Sequence, residues 1–129
     1  MNSNEESTGE WYPYETGETI DTLGPESGLI LRDEEYGDPD EPEDADVRLT
    51  LEQGRADNPG FFLTANLYGG WMYHVARRST EAEGIALYNA VQPELERLAG
   101  MLPMEDDRDI PGKARLLQEA ITDFERRFA

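Results

Sequence analysis

The lone histidine, His74, is the one side chain whose ordinary pKa lies near neutrality, so it is the first candidate for a general base. A catalytic histidine needs an acid to orient it and a nucleophile or substrate to act upon, and its expected cross-strand neighbour is Ala65. A small enzyme or ligand-binding domain using His74 with Asn66 or Tyr73 is one reading. A structural histidine at the edge of a sheet–helix interface is the alternative, and no catalytic residue is assigned.

Carboxylates are the next source of chemistry. The runs Asp33-Glu34-Glu35 and Asp38 to Asp46 would supply oxygen ligands to calcium or magnesium, but GDPDEPEDAD carries two prolines and lacks the glycine and glutamate spacing of a helix–loop–helix calcium site. A solvated loop is expected there, with Asp38, Asp40, Glu41, Glu43, Asp44 and Asp46 forming an acidic surface. Glu105, Asp106, Asp107 and Asp109 are expected to cap the last helix. The chain has no cysteine, which removes disulfides, thiolate ligands and a cysteine nucleophile. No phosphate-binding glycine loop, zinc pattern or nucleophile elbow is present. No cofactor or metal is expected.

The third cluster is aromatic. Phe61 to Tyr68 and Trp71 to Ala76 flank Gly69-Gly70, which reads as a hairpin with a tight turn whose two central residues take positive φ. In that register Tyr68 faces Trp71, Asn66 faces Tyr73 and Thr64 faces Val75, while Leu67 meets Met72, Ala65 meets His74 and Leu63 meets Ala76. If helices cover the second set, Tyr68, Trp71, Tyr73, Asn66 and Thr64 form a partner-binding face of amphipathic side chains. If they cover the first, the aromatics are core.

The elements that would position these residues follow from periodicity. Leu29-Ile30-Leu31 makes a short strand ending in the acidic run. Val47 to Glu52 alternates apolar and polar, as a half-buried strand does. Ser79 or Thr80 starts a helix carrying Ile85, Tyr88, Val91, Leu95, Leu98 and Leu102 on one stripe, with Pro93 expected to kink or divide it. Ala114, Leu117, Ile121, Phe124 and Phe128 give the stripe of a last helix beginning near Ile110-Pro111. The fold class is α+β: a four-stranded antiparallel β-meander followed by two C-terminal helices packed on one face of the sheet (β-β-β-β-α-α).

At 129 residues the chain holds one domain, expected at 28–129 with an acidic loop at 36–46. Residues 1–27 are too poor in aliphatic side chains to offset the entropy of ordering and read as a disordered acidic arm. Within it Trp11-Tyr12-Pro13-Tyr14 is either a docking motif or a segment that packs back onto the domain. Residues 1–46 contain 16 acids and one base, Arg32; the remainder contributes only -3 of the net -18. The charge is therefore regional. It disfavours direct binding to nucleic acid or anionic membrane and favours a basic protein partner. A cytoplasmic, monomeric protein is expected, without leader or membrane span. The leading expectation is a non-enzymatic protein-binding module, inhibitor or immunity-type, for a cationic partner. A nucleic-acid-mimicking inhibitor of a DNA-binding protein is the alternative, and requires Asp33 to Asp46 to be ordered.

Overall fold

A computed structural model describes residues 9–129. Five strands form one antiparallel meander in sequence order: β1 (Glu10–Pro13), β2 (Leu29–Gly37), β3 (Val47–Gln53), β4 (Phe61–Leu67) and β5 (Met72–Arg78). Two helices follow, α1 (Glu81–Ala99) and α2 (Ile110–Arg127). The α+β order of antiparallel strands and then helices is as the sequence implies, with one strand more than expected.

The extra strand is β1, drawn from the segment read as an arm. Trp11 packs beside Tyr36 with ring centroids 5.2 Å apart and planes tilted by 47°, and Glu10 to Pro13 pair with Gly37 to Glu34. Composition registers the lack of aliphatics here but not the backbone edge of β2, which supplies hydrogen bonds to any segment that reaches it. From Tyr14 to Gly28 the chain then crosses the sheet as a strap, with Asp21 N–H donating to Ile30 O and Ile30 N–H to Thr22 O, both at 2.9 Å. Of the expected 1–27 arm, residues 1–8 lie outside the described residues.

Strand β2 also outruns its expected end. The acidic run lies inside it, up to Gly37, so the connection to β3 shortens to Asp38–Asp46. Alternation sends Asp33 and Glu35 to one face and Glu34 to the other, and each finds donors there. An acidic strand is tolerated because its carboxylates are hydrogen-bonded, the condition for burying them.

The β4–β5 register is the one the hairpin motif dictates: Leu63 opposite Ala76, Thr64 opposite Val75, Ala65 opposite His74, Asn66 opposite Tyr73 and Leu67 opposite Met72. Gly69 (φ 93°) and Gly70 (φ 79°) both adopt the left-handed backbone of the turn. The helices cover the face carrying Leu63, Ala65, Leu67, Met72 and Ala76, where Leu49, Leu51, Tyr88, Val91, Leu95, Leu98 and Leu117 complete the core. Leu95 is wholly buried, and its truncation to alanine costs about 2–5 kcal/mol as a large-to-small core change.

Thr80 caps α1 through a reciprocal box with Glu83: Glu83 N–H donates to Thr80 Oγ1 and Thr80 N–H to Glu83 Oε1, both at 3.2 Å. Pro93 does not divide α1 into two pieces. It sits on the exposed side of a single helix, one turn after the exposed Asn89, whose carbonyl it offers no N–H.

Candidate functional site

His74 points to the helix-covered face. Its Nε2 lies 2.9 Å from Phe128 O, and its ring meets Phe124 edge-on at 5.6 Å. Asn66 and Tyr73 project from the opposite face, so strand alternation keeps the three side chains apart.

The five residues expected to form one aromatic face are separated. Pairing stops at Leu67–Met72, and Trp71, released from the alternation by the turn, packs against the apolar core. Tyr68 is half-buried, with its hydroxyl donating to Glu35 Oε2 at 2.7 Å. Thr64 is 3% exposed, Asn66 is half-buried, and Tyr73 alone stands out at 57%.

In place of an open aromatic patch, that face carries a polar network. Arg48 donates from Nε to Asp33 Oδ1 (2.9 Å) and from Nη2 to Asp33 Oδ2 (2.7 Å); Thr50 and Thr19 hydroxyls donate to the same carboxylate at 2.9 and 2.7 Å. Tyr14 lies over the Arg48 guanidinium, 3.9 Å from ring centroid to Cζ. Glu35 accepts from both Tyr68 and Tyr12, and burial together with that carboxylate pushes the Tyr12 phenol up to about 12. Burial first, then Glu35, also pushes Tyr68 far above its ordinary value. These groups tie the strap to the sheet.

Unspent negative charge gathers at the end of the sheet near the β2–β3 connection. Asp38 Oδ1 accepts from Asp40 N–H at 2.9 Å, Pro42–Asp44 form a short 3-10 turn, and Asp46 bridges the neighbouring backbone by donating to Tyr36 O and accepting from Tyr68 N–H, both at 2.9 Å. Pro39 and Pro42 limit the loop's freedom further. Between this loop and the C-terminal end of α1 runs a groove of about 820 Å³. Asp38, Glu41, Asp44, Asp46 and Glu96 line it, with Tyr36, Leu102 and the 60% exposed Met104 as apolar surface.

Two bases border the groove, and each is already engaged by an acid: Arg97 with Glu94 at 3.1 Å and Lys113 with Asp107 at 3.1 Å. The carbonyl end of α1 at Ala99 and Gly100 adds the negative pole of the helix. Burial first, and then Glu96 and Asp46, pushes the Tyr36 phenol up, while the Asp46 carboxyl is raised by burial.

Of the expected acidic surface, Asp38, Glu41, Asp44 and Asp46 thus share one groove, while Glu43 lines a second cleft beside Tyr12 and Tyr68. Asp107 and Asp109 serve α2, Asp107 through Lys113 and Met104 N–H and Asp109 by accepting from Gly112 N–H at 3.0 Å. Glu96, Leu102 and Met104, the opposite wall, carry no local signal that relates them to a loop some fifty residues earlier. Among the described residues no group of three or more His, Asp or Glu is arranged to hold a metal ion, and no helix is long and apolar enough to cross a membrane. No family model matches the chain, and no characterised protein or solved structure is significantly similar to it.

Proposed function

We propose that this chain is a non-enzymatic binding module, of the inhibitor or immunity type, that takes a basic segment of a partner protein into the acidic groove. The observation that carries this reading is the charge imbalance there: among the described residues five carboxylates face two bases whose charges are already met by Glu94 and Asp107. Carboxylates around an exposed apolar surface suit a segment in which arginine or lysine alternates with apolar side chains, because long basic side chains carry both an apolar stem and a charged head. A field of this sign steers such a partner and makes association fast and salt-sensitive. The contact face is therefore the groove, to which the aromatic hairpin contributes no side chain.

A second reading, mimicry of nucleic acid towards a DNA-binding protein, gains from the order of the Asp38–Asp46 loop. It loses Asp33 and Glu35, whose carboxylates are turned inward.

Capture from the host's lysate at low salt tests both. The full chain is immobilised beside its Asp38→Asn/Glu41→Gln/Asp44→Asn variant, and retained proteins are identified by mass spectrometry. A basic protein held by the wild type, lost from the variant and released by moderate salt is the expected result. Equal retention on both, or none, contradicts the reading. Competition by duplex DNA separates mimicry from the first reading.

A further inference from the structure

On the other side of the molecule, independent of the acidic groove, two rows of side chains cross β3, β4 and β5: Arg48, Asn66 and Tyr73 in one, Thr50, Thr64 and Val75 in the next. The strap roofs them with Leu23, Gly24 and Pro25, leaving a cleft of about 280 Å³. The roof is held from below, since Glu52 Oε1 accepts from Gly28 N–H at 2.9 Å and both its oxygens accept from Glu26 N–H at 3.1 Å. It is also flanked by two non-glycine residues in left-handed backbone, Asp21 (φ 68°) and Ser27 (φ 67°), a strain of the kind that collects at binding sites.

The cleft's polar groups are only partly paired within the protein. Among the described residues Thr64 Oγ1 is buried and has no hydrogen-bond partner, which is costly unless something else meets it. Arg48, which lines the cleft, spends Nε and Nη2 on Asp33, and its Nη1 has no protein partner among the described residues. Thr50 Oγ1 donates to Asp33 and can still accept.

Charge decides the ligand class. Arg48 is neutralised by Asp33, and among the described residues no second base lines the cleft, so an anion is disfavoured. The carboxylates of Asp33 and Glu52 are consumed by protein donors, and among the described residues no acid lines the cleft itself, so a cation finds no direct ligand there. What fits is neutral, rich in both donors and acceptors, and apolar on the side turned to Leu23, Pro25 and the Tyr73 ring. The volume lies just below the ~300–1,000 Å³ of sites for drug-sized molecules. We infer that this cleft binds a neutral polyhydroxylated molecule the size of a monosaccharide, with Arg48, Asn66, Thr64 and Tyr73 as its polar partners.

Backbone amide NMR shifts of the full chain, titrated with glucose, galactose and mannose and with acetate and methylammonium as charged controls, test this. The expected result is saturable shifts at Gly24, Asn66 and Tyr73 with at least one sugar and with neither control. Thr64→Val, which keeps the volume and removes the unpartnered hydroxyl, is expected to hold or raise the thermal midpoint of the free protein while weakening the sugar roughly tenfold. Asn66→Ala weakens it similarly. The inference is overturned if no sugar saturates, if acetate or methylammonium moves the same amides, or if Thr64→Val binds as well as the wild type.

Discussion

Arg48 grips Asp33 at two points on the sheet face opposite the helices, with N–O distances of 2.9 and 2.7 Å and the Asp33 side chain fully buried. Removing one partner strands the other. Asp33→Ala is expected to cost about 3–5 kcal/mol in urea unfolding, as does breaking other buried pairs, and Arg48→Met to cost a comparable amount. The double variant Asp33→Val/Arg48→Met should recover much of the loss. Strict additivity of the two single variants would show that the pair is not the unit that holds the strap.

The hairpin turn gives a second expected outcome. Gly69 and Gly70 hold φ values of 93° and 79°, where a Cβ costs roughly 1–2 kcal/mol per residue. Gly70→Ala, which has open space around its would-be Cβ, should lose about that much through backbone strain alone. A variant as stable as wild type in urea would contradict the turn geometry.

The α1 cap is similarly local. Thr80→Ala removes the oxygen that accepts from Glu83 N–H and is expected to lower stability by about 1 kcal/mol. Thr80→Ser should restore most of it, measured by the same urea midpoint.

Asp46 and Glu52 set an acid-side pH dependence. Burial raises both carboxyls above their ordinary values, so the folded chain binds protons more readily than the unfolded one. Their contribution to stability therefore falls as pH rises through the raised folded values, and grows as pH drops towards the ordinary 3.8 and 4.5. Asp46→Asn should stabilise the protein at neutral pH and flatten this dependence. Thermal midpoints between pH 4 and 8, compared for the two proteins, check it; a wild-type curve whose slope Asp46→Asn leaves unchanged counts against the assignment.

Much of this architecture was legible because it is locally encoded. The β4–β5 register follows from Gly69-Gly70, the start of α1 from Ser79-Thr80, and the α2 stripe from Leu117, Ile121, Phe124 and Phe128. What escaped was encoded at a distance. Asp33-x-Glu35 and Arg48-x-Thr50 alternate with the period of a strand, yet a run of acids reads as solvated until Arg48, Thr19, Tyr12 and Tyr68 are known to converge on it. Trp11 showed the same limit, since its partners Tyr36 and Glu96 lie far along the chain. The acidic loop was legible as charge; the groove was not, because its other wall is the end of α1.

The most direct measurement of the central claim is the affinity of the full chain for a short peptide alternating arginine and leucine, followed by Trp11 fluorescence in a Trp71→Phe background. Trp11 reports on the groove because its Nε1 donates to Glu96 Oε2 at 2.8 Å. Saturable binding that weakens steeply between low salt and ~0.15 M, where screening sets in beyond about 8 Å, and that is lost in Asp38→Asn/Glu41→Gln/Asp44→Asn, is the expected result. Binding indifferent to salt, or undiminished in the neutralised variant, would contradict the acidic groove as the partner site.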